Sequence, residues 1–334
     1  MIKLGTNMQT MTHASIIIPS YNGRELLARY LDSIVREVAA TGEGYEIIVV
    51  DDGGSDDTAD FLREQYPEVI LLALTHNGGF QRTCNWGARV AKGEIVIFLN
   101  NDMAVQPGFL APLLRHFADP QVFAVSARSL IPVGDNARGN ESLTAMSWAR
   151  GEWRVTYPAL DDPTLPADQV MSIAYAFGGA VAVDRQKFLA IGGFDELYAP
   201  WTVEDVDLSY RAWKRGWRIL YEPASVVYHQ HSATISAHKG KYRRQIMARN
   251  YLLFTWKNVT SRRLLAEHLL WLPWWQLWHL CHGRRAYVLG LLRALLRLRQ
   301  ALRARQQKQQ DQRHDDHFVL TQIGASRHDA KPTR

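Results

Sequence analysis

Four apolar runs of strand length, each halted by a polar loop, constrain this chain more than anything else in it. Ser15–Pro19, Glu46–Val50, Val69–Leu74 and Ile95–Leu99 are mostly apolar and rich in β-branched residues. Runs of this kind suit strands buried on both faces. They stop at Ser20–Gly23, Asp51–Asp57, Asn77–Gly79 and Asn100–Asp102. After the first, Leu27, Tyr30, Leu31, Ile34, Val35 and Val38 recur at helical spacing. A short helix through Phe61 and Leu62 follows the second, and a helix to Ala91 follows the third. This alternation predicts an α/β fold: a mainly parallel sheet flanked by helices, with ligands at the carboxyl ends of the strands. Asp102 lies at such an end. With oxygen-bearing neighbours it can hold a hard divalent cation, Mg or Mn, and through it substrate phosphates. A polar turn capped by Asp102 is the equally open reading of those residues alone.

The loops exclude the common dinucleotide and P-loop sites. No Gly-x-Gly-x-x-Gly follows the first strand, and no Gly-x-x-x-x-Gly-Lys-Ser/Thr occurs. The sheet edge instead presents Asp51, Asp52 and Asp102. Carboxylates repel a bare diphosphate, so a cation must intervene if a nucleotide sits there.

Residues 130–168 hold no period and are punctuated by Pro132, Gly134, Gly139, Pro158, Pro163 and Pro166, which reads as a surface excursion. Order returns at Ile173–Val183, where Gly178 and Gly179 allow close approach of a backbone or ligand, or else a simple bulge. Thr202–Asp205 has capping-box spacing, and Lys214-Arg215-Gly216 is a helix stop. Glu204 and Asp205 then fall in a first helical turn, where the dipole favours their ionised form. Such a carboxylate at a pocket rim can act as a general base, although plain capping is as good a reading. Asp207 and Arg211, at i and i+4, read as a structural pair. Val226–Ser232 reads as a strand end at which His229, or His231, completes a metal site begun by Asp102.

Charge divides the chain. Residues 1–240 carry 20 Lys and Arg against 28 Asp and Glu, a net −8, whereas residues 241–334 carry 19 against 5, a net +14. A basic tail of this kind faces nucleic acid or an anionic membrane. Residues 264–281 are apolar and tryptophan-rich (Trp271, Trp274, Trp275, Trp278), but Glu267, His268, Pro273, Gln276 and His279 interrupt them, against a spanning helix. Between Ala286 and Arg305 leucines cover half the helical circumference, with Arg293, Arg297 and Arg305 largely outside that arc, though Arg299 and Arg303 intrude. This reads as an in-plane membrane anchor rather than a nucleic-acid arm; packing on the body or a homodimer contact is the alternative. The expected organisation is an N-terminal tail (1–13), a catalytic body (14–240), an amphipathic helical extension (241–305) and a polar, disordered tail (306–334). Cys84 and Cys281 form no metal pattern and suit a reducing compartment as packed apolar residues. Residues 1–13 lack the apolar core of a signal peptide, so the expected location is cytoplasmic, against the inner face of the cell membrane.

The series Pro19-Ser-Tyr-Asn22, Val50-Asp-Asp-Gly-Gly-Ser-Asp56, Asn77-Gly-Gly-Phe80, Leu99-Asn-Asn-Asp102, Gly192-Gly-Phe-Asp-Glu196, Glu204-Asp-Val-Asp-Leu208 and His229 resembles family 2 glycosyltransferases, closest to the rhamnosyltransferase-like branch. The resemblance implies a GT-A fold, a nucleotide-diphosphate sugar donor, a divalent cation and inversion at the anomeric carbon. It also implies a glycan or lipid-linked acceptor. On that resemblance Pro19 and Tyr21 line the nucleoside pocket and Asp52, beside Asp51, bonds the base. Asn22, Asn77 and Asn101 join the donor side. Asp102 and His229 take the metal, and Asp205, with Glu204 as its neighbouring candidate, is the base. Gly178, Gly179 and Trp201 fall to the acceptor side. Asn100 stands where the family's metal motif has its first Asp, which lowers the expected cation affinity. A nucleotide-sugar-binding or scaffold protein of the same fold without turnover is the competing reading.

Overall fold

The computed structural model describes residues 14–42, 44–133, 136–157, 168–229, 240–308 and 312–325 of the 334. In chain order the first half runs β1 (Ala14–Ser20), α1 (Arg24–Thr41), β2 (Tyr45–Asp51), α2 (Thr58–Gln65), β3 (Ile70–Ala73), α3 (Phe80–Val90), β4 (Ile95–Leu99), β5 (Met103–Val105) and α4 (Leu110–Leu114). Then come β6 (Val122–Val133), β7 (Asn136–Asn140), β8 (Ala145–Ala149), β9 (Glu152–Thr156), β10 (Met171–Ser172), β11 (Ala180–Asp184), α5 (Arg185–Ala190), α6 (Glu204–Trp213) and β12 (Arg218–His229). Five helices follow: α7 (Gly240–Asn258), α8 (Arg262–Cys281), α9 (Arg285–Leu296), α10 (Leu298–Lys308) and α11 (Asp316–Ala325).

The main sheet has the order β10-β12-β6-β11-β4-β1-β2-β3, with β5 on β12 and β7 on β6. Its half from β4 to β3 is parallel, as the alternating pattern predicts. Its other half is mixed: β11 is antiparallel to both β4 and β6, while β6 and β12 are parallel. The physical reason is the long excursion before β11, which returns the chain along β4 in the opposite sense. Along β1, β2 and β4, alternate residues enter two apolar layers. Ile17, Ile48, Val50, Val96 and Phe98 face one layer, and Ile16, Ile18, Ile47, Val49, Ile97 and Leu99 face the other. Both faces are buried, which is why the runs are unbroken rather than alternating.

The excursion is more ordered than its composition predicts. Residues 130–157 contain the β6–β7 hairpin and a separate β8–β9 ribbon. The ribbon is held by aromatic packing: Trp153 meets Tyr210 of α6 and Phe254 of α7 edge-on or tilted. Residues 158–167 lie outside the described residues.

The extension is not a separate layer. Leu253 and Phe254 of α7 are fully buried in the body's core. Helix α9 lies close on α7 because Gly290 has no side chain; a Cβ there would stand 2.7 Å from that of Ala248. Part of the expected disordered tail is ordered as well. In α11, Val319 and Ile323 are buried. Asp316 lies inside the protein, 2.6 Å from the Lys214 ammonium, and accepts the backbone N–H groups of Thr260 and Ser261. A buried, paired carboxylate cannot leave its site without stranding that lysine, so the polar composition around it is misleading. Among the described residues no helix is long and apolar enough to cross a membrane.

Candidate active site

Four loops meet at the carboxyl ends of β1, β2 and β4 and at the start of α6. The first three are tied together by side chains. Asn101 Nδ2 donates to Ser20 Oγ at 3.1 Å, joining the ends of β4 and β1. Asn22 Oδ1 accepts the Ser55 N–H at 2.7 Å, joining the ends of β1 and β2. The two Asp52 oxygens accept the N–H groups of Gly78 and Gly79 at 2.8 Å each. Gly79 presents its N–H from a positive φ of 84°, which glycine adopts without strain. Asn77 Oδ1 also accepts from Gly79, at 3.1 Å. Asp51 accepts the Gly54 N–H at 3.1 Å, and burial pushes its carboxyl above the ordinary range. Pro19 is half-buried at the end of β1, and Tyr21 beside it is 50% exposed, its ring open to a ligand.

The second half of the site is Asp102 with His229. His229 ends β12, whose pairing with β5 sets it opposite Met103, next to Asp102. Its Nε2 lies 3.5 Å from Asp102, and its Nδ1–H donates to Glu141 at 2.7 Å. Burial opposes a charge on this imidazole, but Asp102 and Glu141 outweigh it and lift its pKa to about 9. Once a cation displaces the proton from Nε2, an oxygen from Asp102 and a ring nitrogen oriented by a carboxylate on its other side form a donor set that fits a divalent cation. Glu141 lies in the stretch without readable period, and no pattern in the sequence marks it. Among the described residues no cluster of three or more His, Cys, Asp or Glu is arranged to enclose a metal. His231 lies outside the described residues.

The third part is the start of α6. The capping box is absent: Val203, not Thr202, is the N-cap residue, and it makes no side-chain cap bond. Thr202 and Val203 both have positive φ, 72° and 74°. For β-branched residues this is strained, at roughly 1–3 kcal/mol each. The turn is held from α7: Asn250 Nδ2 donates to the carbonyls of Tyr198, Trp201 and Thr202. The helix start is served instead by Asp205 itself, which accepts the Val206 N–H at 2.8 Å.

The two adjacent carboxylates have different surroundings. Glu204 is buried and accepts the Gln81 amide at 3.1 Å, tying α6 to α3. Asp205 lies against the glycine pair: a Cβ on Gly178 would stand 3.4 Å from that of Asp205, and the Gly178 N–H donates to its carboxylate. Burial raises both pKa values and outweighs the helix dipole. Asp205 rises to about 6, held there by N–H groups of Val206 and Gly178. Glu204 rises to about 8 because burial is joined by repulsion from Asp205. At neutral pH the pair is therefore one ionised and one protonated carboxyl, the arrangement that separates a base from its neighbour.

The glycine pair also reaches the metal side. Gly179 C=O accepts the Asn100 N–H at 2.9 Å, and a Cβ on Gly179 would stand 2.8 Å from the Asn100 amide nitrogen. Trp201 packs edge-on against Tyr242 at the same rim. Asp207 and Arg211 pair at 2.7 Å in the interior. An open cleft of about 860 Å³ lies at the opposite, amino ends of the strands, lined by Lys92, Glu94, Asp184 and Arg185, and includes none of these residues.

Comparison with known proteins bears on the family and the fold. The model of glycosyl transferase family 2 matches residues 15–179, and that of the N-terminal domain of galactosyltransferase matches residues 168–234. The O-antigen biosynthesis protein RfbC of Myxococcus xanthus is 27% identical over 224 residues, 66% of this chain and 17% of that protein. Polypeptide N-acetylgalactosaminyltransferase 10 of Homo sapiens is 30% identical over 236 residues, 66% of this chain and 38% of that protein. The chain thus spans well under half the length of these relatives. The structure of a mannosyltransferase from Pyrobaculum calidifontis, in complex with GDP-Man and Mn²⁺, superposes with a TM-score of 0.54 at 19% identity, over 96% of this chain and 88% of that one. Residues 15–179 thus belong to glycosyl transferase family 2, and the body has the GT-A fold.

Proposed function

We propose that this chain transfers a sugar, rhamnose being the first to test, from a nucleotide-diphosphate donor to a hydroxyl of a cell-surface glycan or lipid-linked acceptor. The anomeric carbon inverts, and the reaction runs at the inner face of the membrane. One observation carries this reading: Gly178-Gly179 touches Asp205 on one side and the Asn100–Asp102 turn on the other. A base and a diphosphate-side carboxylate thus flank one bare stretch of backbone, where two substrates can meet in line.

Asp102 and His229 would hold the cation, with diphosphate oxygens and water filling its remaining positions, as Mg and Mn accept. Bound there, the cation neutralises charge developing on the departing diphosphate. The rest falls to the chain. Tyr21 and Pro19 bound the nucleoside side, with Asp51 and Asp52 fixing its loop. Asp205, ionised above about pH 6, takes the proton from the acceptor hydroxyl as that oxygen attacks the face opposite the diphosphate. One displacement needs one base, and Glu204, protonated beneath the site, positions α6 through Gln81.

Asp102→Ala is expected to abolish metal-dependent donor binding while the fold survives. Calorimetry with uridine, guanosine and thymidine diphosphate sugars in Mn²⁺ or Mg²⁺ reads this directly, after a thermal-shift screen selects the donor. Undiminished donor binding by the variant would remove Asp102 from the metal site. Tight donor binding by wild type with no turnover on any acceptor would favour the binding-protein alternative.

A further inference from the structure

A helix on a protein surface normally turns its apolar stripe inward and its polar face to water. Two helices of the extension are built the other way round. On α8 the polar side chains of Glu267, His268 and His279 point into the protein. Glu267 accepts the Trp148 indole N–H at 2.9 Å and the Gly151 N–H at 3.1 Å. His268, buried, lies between the Trp256 indole and the Gly151 carbonyl, and His279 is buried too. Of the residues that break the apolar run in sequence, Glu267, His268 and His279 are thus turned inward, while Pro273 is exposed. Leu269, Leu270, Trp274, Leu277 and Leu280 face outward, with Leu270 76% exposed. On α9 the fully buried residues are the small ones, Gly290 and Ala294, with Leu291 half-buried beside them, while Leu289, Leu292 and Leu296 face outward, Leu296 at 86%.

The arginines that a helical wheel sets opposite the leucines are turned inward as well. Arg297 donates to the Leu197 carbonyl at 2.9 Å, and Arg305 to the carbonyls of Trp256 and Val259 at the end of α7. Arg293 lies over the Tyr242 ring. Other arginines stay exposed: Arg262, Arg263, Arg284 and Arg285 at the ends of α8, Arg299 and Arg303 along α10. Among the described residues nothing covers this outward leucine face.

We infer that α8 and α9 form a docking face for an anionic bilayer, lying in the interface plane with their leucines toward the acyl chains and the exposed arginines at the headgroups. Trp274 belongs at that level, where an indole is half in apolar surroundings and half wet. Charge selects this occupant over a second copy. A two-fold contact through this face would set its arginines against their own equivalents, in a segment whose net charge is +14; an anionic surface neutralises them. The inference deepens the proposed membrane-side acceptor and rests on that reading for the acceptor alone, because docking is tested without any sugar.

The full chain should float with phosphatidylcholine vesicles containing phosphatidylglycerol, and far less with phosphatidylcholine alone. Leu270→Glu with Leu296→Glu should lower the partition coefficient by roughly 100-fold, about tenfold per leucine withdrawn from the acyl region. Both side chains are exposed, so the melting temperature should not move. In the unmutated chain, brominated lipid should quench fluorescence, and Trp274→Phe should remove part of that quenching. Absence of flotation and quenching with anionic vesicles would overturn the inference. So would a solution dimer that the double glutamate variant dissociates. A chain that floats but transfers no sugar would leave docking intact and overturn the proposed function instead.

Discussion

Asp205→Asn is expected to cut single-turnover transfer by roughly 10²–10⁴-fold, the usual contribution of a positioned base, while donor binding stays near wild type. Stability should not fall. The folded-state pKa of Asp205 is raised from 3.8 to about 6, so the folded protein holds that proton more tightly than the unfolded chain. Its contribution favours folding at low pH and is lost as pH rises through about 6. At neutral pH the ionised carboxylate therefore burdens the fold, and Asn relieves it, so the variant should melt at the same temperature or higher. Wild-type kcat/KM should fall with a slope of one proton as pH drops through about 6. Glu204→Gln, replacing a group already protonated at neutral pH, should leave transfer within a few-fold of normal. Collapse in Glu204→Gln with near-normal transfer in Asp205→Asn would move the base by one residue. Near-normal transfer in both would leave the proposed mechanism without a base.

Asp207→Ala should destabilise the protein by about 3–5 kcal/mol, the cost of leaving buried charge without its partner. Asp207 Oδ2 accepts Arg211 Nε at 2.7 Å; its Oδ1 takes the Lys257 ammonium at 2.5 Å, the Asn258 amide at 2.7 Å and the Tyr198 hydroxyl at 2.8 Å. Both cations are fully buried. Lys257 keeps Asp195 at 2.7 Å, but Arg211 retains only the carbonyls of Ile191 and Gly193. Urea denaturation followed by tryptophan fluorescence measures the loss. A midpoint within error of wild type would mean that water or rearrangement satisfies Arg211. Asp207→Ala should lower transfer together with stability, whereas Asp205→Asn should lower transfer alone.

The strands and their loops were legible because a strand buried on both faces needs an apolar run, and a ligand-facing edge needs an abrupt polar stop. Asp102 and Asp205 were legible for the same reason, each opening or closing a regular element. Their partners were not. Glu141 acts from a turn in the stretch without a readable period, and Gln81 from a helix that the sequence shows but whose partner it does not; they lie 88 residues from His229 and 123 from Glu204. The capping box failed because its spacing describes local geometry, whereas Asn250 holds Thr202 and Val203 in a left-handed turn from 48 residues away. The leucine arc of α9 was visible in the sequence, but its direction was not: periodicity finds an apolar face without saying whether it points in or out.

That Asn250 contact has a consequence for which acceptors can be used. Helix α7 grips the turn that aims Asp205 and, through Ala248 and Gln245, seats Gly290 of α9. If the outward face of α9 rests on a bilayer, one rigid helix links the lipid surface to the reacting carboxylate. The protein then works at a set height, like a caliper with one jaw on the membrane. An acceptor qualifies by the length between its anchoring lipid and its reactive hydroxyl as much as by the sugar it presents.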